Sequence, residues 1–372
     1  MTSVTKISDT RRALWIDGIR GIALTVIFFD HTARLLPTLF PVLKRVYQTL
    51  GILTMAEVFI LTSGAAVAKA YLSKSPSEEG KLLRRQKIWN RAGRIYFVHL
   101  FTIAVVIFLS VLPGGRVVEL PPDVEFRPVV SFCLSTVLLF QPHLVDILPM
   151  YVVFFGLLPF VLNGIERGRA VEIAISSALL WLVAQFFTYS LDVRYYHGMV
   201  LPAFNPFAWQ ALFILGLVSV LPGSYERVRE LRDNHRRALV AIVGTIVFGF
   251  CLARHLVPEV ADPRTFWASR PHLGALRMAN IVSIVALLML IAPSLSRLHI
   301  PRWLVVIGMH SLWLWAFNVV VSHVWEYMFS YGVSTWSDAA QVAFCIANVA
   351  VVVPLAMCLN RWSELSKGRR EA

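Results

Sequence analysis

Asp17, Arg20, His31 and Arg34 are ionisable side chains set into one apolar run, at the spacing of a helix face. At about 100° per residue they share an arc of about 100°, with Asp30 off that stripe. A charged group in lipid is costly unless it is paired or faces a cavity, so each is a functional candidate. Depth sorts them. At about 1.5 Å per residue, Arg20 lies roughly 11 Å from the inner end of the run and His31 roughly 8 Å from its outer end. The next run starts outside, and Glu57 lies roughly 9 Å into it, level with His31. The third run starts inside, so Arg91, Arg94, Tyr96 and His99 join Arg20 at an inner, cationic level. The outer level holds His31, Glu57, Asp146, Gln210, His272 and Arg277.

Two kinds of chemistry follow. A histidine next to a carboxylate suits a general base whose tautomer is set by its partner. An inner group of arginines suits the phosphates of a nucleotide-like donor. Plainer roles compete. A single intramembrane histidine also serves as a helix-to-helix hydrogen bond, and Asp17 with Arg20 also reads as a structural ion pair. His299, His310 and His323 read as packing or interface residues. Trp303 and Trp336 read as interface anchors.

These side chains need apolar elements to carry them. The chain has 372 residues, 57% hydrophobic and 15% charged, with a mean hydropathy of +0.65. Soluble domains carry about a quarter charged residues, so a soluble globule or a disordered chain is excluded. The fold class expected is an all-α polytopic membrane protein. About ten spans are predicted, at 13–36, 51–73, 94–112, 146–164, 170–188, 207–222, 237–256, 275–295, 304–328 and 337–360. They form one integral-membrane domain over 1–372. The stretch 129–140 is apolar but short, which predicts a re-entrant or interfacial helix.

The net charge is +13. The basic residues sit in alternate loops, including Lys6, Arg11, Arg12, Lys74, Arg84, Arg85, Arg227, Arg229 and Lys367. The intervening loops hold Glu119, Asp123, Glu125, Asp192, Glu259 and Asp262. That alternation puts both termini inside and argues against a nucleic-acid partner. The first run is too long for a signal sequence and reads as a retained helix. Cys133, Cys251, Cys345 and Cys358 read as buried thiols without a disulfide framework. No close ligand spacing indicates a metal. The loops 113–145 and 189–206 are long enough to wall or cover a substrate site.

The same residues carry a family resemblance. IDGIRGIALTVIFFDHTARL resembles the first helix of the OpgC family, a D-x-x-R-G pattern followed by D-H, through Asp17, Arg20, Gly21, Asp30 and His31. AEVFILTSG, with Glu57, is similar to the family's A-E-I-F-x-x-x-S-G. RAGRIYFVH matches through Arg91, Tyr96 and His99, and QPHLVDILPMY through Gln141, Asp146, Pro149 and Tyr151. FNPFAWQALFILG matches through Asn205, Trp209, Gln210 and Gly216, HLGALRMAN through His272, Arg277 and Asn280, and GMHSL through Gly308 and Ser311. The matches run in order from about residue 15 to 315. Met309 stands where the family pattern has a basic residue.

The resemblance implies an inner-membrane transferase of the acyltransferase-three superfamily that adds succinyl groups to osmoregulated periplasmic glucans. The donor it implies is cytosolic succinyl-CoA, a substrate rather than a bound cofactor. The partners it implies are membrane lipids, a periplasmic glucan and the acyl-CoA, with homo-oligomers compatible. Arg20 and His31 are the residues that the family's relatives make essential. His31 is then the base, oriented by Glu57 or Asp30. The donor binds at Arg20, Asp17, Arg91, Arg94, Tyr96 and His99. The acceptor and acyl group meet Asp146, Tyr151, Asn205, Trp209, Gln210, His272 and Arg277. An oxyanion donor is drawn from Tyr151, Gln210 and Trp209, and Arg277 pairs with the succinyl carboxylate. Ser63 offers a covalent route, less favoured because it lies off the Glu57 face. Acetyl transfer to another surface glycan, and glycan or lipid transport, are the competing functions.

Overall fold

The computed structural model describes residues 2–36, 41, 51–72, 77–113, 127–139, 141–142, 144–190, 204–257, 265–295, 299–329 and 336–371. For 2–13, 187–190, 222–229, 231, 292–295 and 367–371 it describes the backbone alone. The described residues are helical, with no strand among them. Most of the two long loops expected outside the membrane lies outside them, at 114–126 and 191–203. So do Lys74, Glu119, Asp123, Glu125, Asp192, Glu259 and Asp262.

The helices are α1 (Thr2–Ala33), α2 (Met55–Tyr71), α3 (Glu78–Val111), α4 (Pro128–Thr136), α5 (Ile147–Glu166), α6 (Ala170–Ser190) and α7 (Pro206–Ser219). They continue with α8 (Pro222–Leu256), α9 (Ala275–Leu295), α10 (Arg302–Met309), α11 (Ser311–Phe329), α12 (Asp338–Ala350) and α13 (Val352–Glu371). Their starts are written in the sequence. Ser77 accepts from the Gly80 amide ahead of Glu78 and Glu79, and Asn205 accepts from the Phe207 amide ahead of Pro206. Each satisfies an amide that the first turn leaves without an intrahelical partner. At α2, Glu57 reaches back to the Thr54 amide at 2.8 Å, the reciprocal half of a capping box.

Each predicted span contains a helix or a broken pair of helices. Fewer are clear membrane crossings. By length and apolarity, four described helices qualify: Glu78–Val111, Ile147–Glu166, Arg232–Leu256 and Asp338–Ser366. A fifth counts if α10 and α11, bent by 83° at His310, are one span. Part of the shortfall from ten has a physical source in helix length, and α1 and α2 do not qualify either. Ala170–Phe186, Pro206–Ser219 and Ala275–Ile291 are apolar but shorter. At about 1.5 Å per residue α7 is about 21 Å long, against a hydrocarbon layer of about 30 Å. Phe101, Phe108, Phe160, Phe186 and Phe248 point outward, an arrangement that lipid tolerates and water does not.

α1 lies at the centre, packed on α2, α10, α11 and α12. Two of its neighbourly contacts are made through glycine. A Cβ on Gly21 would stand 1.9 Å from the Leu304 carbonyl oxygen, and one on Gly308 would stand 1.8 Å from that of Asp17. The same reciprocal contact joins α2 to α7: Gly64 meets Phe213 and Gly216 meets Leu61, at 1.9 and 1.8 Å. Backbones approach this closely only where both sides lack a side chain.

α4 reaches far into the bundle. The Tyr96 hydroxyl donates to the Thr136 carbonyl at 2.8 Å, and His99 Nε2 to that of Ser135 at 3.3 Å. His99 lies about 18 Å from the Val111 end of α3 at about 1.5 Å per residue, so α4 packs well down the length of that helix. The expectation of buried thiols holds for Cys345 alone. Cys251 is half-buried, and Cys133 and Cys358 are exposed.

Candidate active site

Residues of the inner level enclose a cavity of about 410 Å³ between α1, α2, α3, α5 and the α10–α11 bend. This is within the usual range for small-molecule pockets, about 300–1,000 Å³. Phe59, Val67, Ile95, Leu148 and Trp315 supply apolar wall. Asp17, Arg20, Lys69 and Arg91 supply charge, three cations to one carboxylate. A site with that balance draws an anion, and its apolar walls accept an uncharged stem.

Arg20 is 8% exposed. Its Nη2 donates to Ser311 Oγ at 2.6 Å, Nη1 lies 3.4 Å from Asp17, and the guanidinium sits over the Phe59 ring at 5.5 Å. Its Nε has no hydrogen-bond partner among the described residues. Gly18 and Gly21, flanking Arg20, explain this placing, because the Ile300 side chain presses on α1 at Gly18 and the α10 backbone at Gly21. Arg91 lies over the Phe155 ring at 5.5 Å. At another wall Tyr151 donates to Ser63 Oγ at 2.9 Å, and Ser63 donates to the Phe59 carbonyl at 2.7 Å. The Ser63 proton thus points at a main-chain carbonyl, which cannot activate a nucleophile as an imidazole does.

The other expected donor-site residues are placed elsewhere. Arg94 is exposed and absent from the cavity wall. Tyr96 and His99 face α4. Arg84 grips Glu166 with both terminal nitrogens and reaches the Tyr71 carbonyl, tying α2, α3 and α5 together.

His31 does not line the cavity. Its Nδ1 lies 3.1 Å from Nδ2 of Asn318 on α11, a fully buried amide. Asn318 is three residues beyond Trp315, so the histidine stands about 5 Å, or one turn, past the level of that cavity residue. Asn318 escaped the reading of the sequence. The available signal was a lone amide in the apolar stretch SLWLWAFNVVV.

Glu57 is 1% exposed and bonded elsewhere than expected. Arg277 Nη1 donates to it at 2.5 Å, and the Thr54 amide and hydroxyl donate to it as well. Arg277 also donates from Nε to the Ala268 carbonyl at 3.2 Å. Three residues on, Asn280 accepts from the Ile52 and Leu53 amides at 2.9 and 3.3 Å, beside Gly51 with φ of +88°. The HLGALRMAN motif therefore clasps the start of α2. Asp30 pairs with Arg34 at 3.1 Å. The two are about 40° apart on the helix, close enough to meet although one lies off the stripe.

The remaining outer-level residues hold the 268–274 turn or join helices. Trp209 donates to the Arg270 and Pro271 carbonyls at 3.1 and 3.0 Å, and the Asn205 amide also donates to Pro271. Gln185 and Trp181 donate to the carbonyls of His272 and Leu273. Gln210 exchanges two hydrogen bonds with Ser177 of α6, at 2.7 and 2.9 Å. This leaves Tyr151, of the three expected oxyanion donors, on the cavity wall. Asp146 is buried at the start of α5. Burial holds the His272 imidazole below its ordinary range.

One cation was missed by the sequence reading. Arg270 lies within electrostatic reach of Glu57, Asp146, Arg34 and Arg277. It sits over the Phe204 ring at 5.0 Å, and its Nε has no partner among the described residues. Arg277 and Arg34 are matched by Glu57 and Asp30. No described carboxylate forms an ion pair with Arg270, so its guanidinium is available to an anion.

Comparison with known proteins adds one finding. A family model described as OpgC protein matches residues 12–364, nearly the whole chain. No curated protein matches it.

Proposed function

The chain belongs to the OpgC family, and from that premise we propose that it is a multi-pass inner-membrane O-acyltransferase, moving a succinyl group from cytosolic succinyl-CoA to hydroxyls of periplasmic glucans. The observation that supports the reading is the cavity's position: a cation-rich, apolar-walled chamber lies about one helical turn short of His31. The proposed topology keeps ten membrane crossings, the shorter helices included, with both termini inside and the cavity facing the cytosol.

In the reaction, Arg20, Lys69 and Arg91 hold the anionic end of the donor, and the apolar walls take its uncharged arm. The glucan hydroxyl approaches His31 from outside. His31 takes the hydroxyl proton as the oxygen attacks the thioester carbonyl carbon. The carbon–sulfur bond breaks, and the leaving thiolate takes the proton from the imidazolium. The products are a glucan ester and the free thiol. Tyr151 is the candidate to stabilise the oxyanion. Arg270 takes the succinyl carboxylate, the part the sequence assigns to Arg277, whose guanidinium is instead paired with Glu57.

The test is reconstitution of the purified protein with succinyl-CoA and glucan, read by mass spectrometry for added succinyl. Wild-type protein transfers the group. His31→Ala is expected to lose at least about 100-fold in rate, the lower end of what a general base contributes, while remaining folded. Near-normal succinylation by that variant removes His31 from the chemistry.

A further inference from the structure

We propose that Asn318 and Ser322 form a reversible relay that sets which ring nitrogen of His31 carries the proton. Asn318 is 0% exposed and Ser322 4%, one turn apart on α11. Ser322 Oγ donates to Asn318 Oδ1 at 3.2 Å, and Asn318 Nδ2 faces His31 Nδ1 at 3.1 Å. With the amide nitrogen toward the ring, Nδ1 accepts and the ring proton sits on Nε2. That form donates at Nε2 and cannot take a proton there.

The base-competent form needs the reverse. Nδ1 gains a proton from water and the resulting imidazolium releases the one on Nε2 to water, while turning the amide by half a rotation brings Oδ1 to the ring, where it accepts from Nδ1–H. Nδ2 then faces Ser322, whose hydroxyl accepts as readily as it donates. Every hydrogen bond is kept, and only the direction of the chain changes. An amide and a hydroxyl are among the few buried partners with this property, since both donate and accept. When Nε2 takes the acceptor proton, Nδ1–H is already held by Oδ1, and the imidazolium is stabilised. Asn318 is thus a positioning residue that acts through His31. It does by amide reversal what Glu57, committed to Arg277, is not placed to do.

This inference rests on His31 being the base. The experiment measures kcat and KM of full-length protein in detergent with succinyl-CoA and glucan. Asn318→Leu removes both polar atoms. Its kcat is expected to fall about 10- to 100-fold, part of the roughly 100-fold or greater loss expected for His31→Ala, with the donor KM unchanged. Asn318→Asp supplies an acceptor alone, which fixes Nδ1–H, and it should restore kcat to within about threefold of wild type. Should Asn318→Leu not accumulate, Asn318→Ala takes its place with the same expectation. Wild-type kcat in the apolar variant overturns the relay, as does an Asp variant as slow as the Leu variant. The two readings fail separately. An active His31→Ala protein sinks the general base, whereas an inactive one beside a fully active Asn318→Leu sinks the relay alone.

Discussion

Arg270 and Arg277 stand seven residues apart, both within reach of Glu57, and meet different fates. Arg277 is 2% exposed and locked to Glu57, so removing it strands a buried carboxylate. Breaking one partner of such a pair costs about 3–5 kcal/mol. Arg277→Leu is therefore expected to lower the melting temperature sharply, whatever donor is offered. Arg270→Leu leaves no ion-pair partner stranded. It is expected to melt like wild type while losing about tenfold or more of the preference for succinyl-CoA over acetyl-CoA, read as the ratio of kcat/KM. An unchanged preference returns the carboxylate to another residue. The motif containing His272, Arg277 and Asn280 was legible in the sequence as a set of polar groups. Its use was not, because spacing along a chain gives the level of a side chain but not its partner. Glu57 shares a layer with both His31 and Arg277, and only the packing of α9 on the start of α2 decides between them.

At the level of helices, the two glycine crossings do more than charge to fix the site. Gly64 and Gly216 leave α2 and α7 backbone to backbone, one residue from Ser63. Alanine at either position meets main chain, which cannot yield as a flexible side chain does, and overpacking of this kind costs about 1–3 kcal/mol. Gly93→Ala and Gly244→Ala are the matched controls, since nothing lies within 4 Å of an added Cβ at either. Those two are expected to be neutral or stabilising by about 0.5–1 kcal/mol, the helical advantage of alanine over glycine. Thermal melting of the four variants in detergent separates the classes, and equal behaviour of all four refutes the crossing argument. Sequence periodicity located every one of these helices because apolar runs are long and punctuated. It did not show the 83° bend at His310, since no proline marks it and a single polar residue such as His99 also sits inside a continuous helix. Nor did it separate crossings from shorter apolar helices, because apolarity measures burial in lipid or protein alike.

For the whole molecule, the net charge of +13 is an orientation signal as well as a solubility property. Ser8→Cys and Ser366→Cys, each in a chain freed of its four native cysteines, are expected to react with a membrane-impermeant maleimide only after cells are opened. Labelling of either in intact cells overturns the placement of both ends inside. Labelling at Ser8 also overturns the proposed direction of the cavity, because α1 then runs the opposite way.

The elbow at His310 holds α1 like a clamp with two jaws. On one arm Gly308 is wedged against the Asp17 carbonyl, and on the other Ser311 grips the Arg20 side chain. Straightening the elbow would drag those two grips apart along a helix that cannot stretch. α1 therefore serves as the strut that keeps the joint cocked, and any tool that reports the angle of α10 would also report how firmly Arg20 is seated.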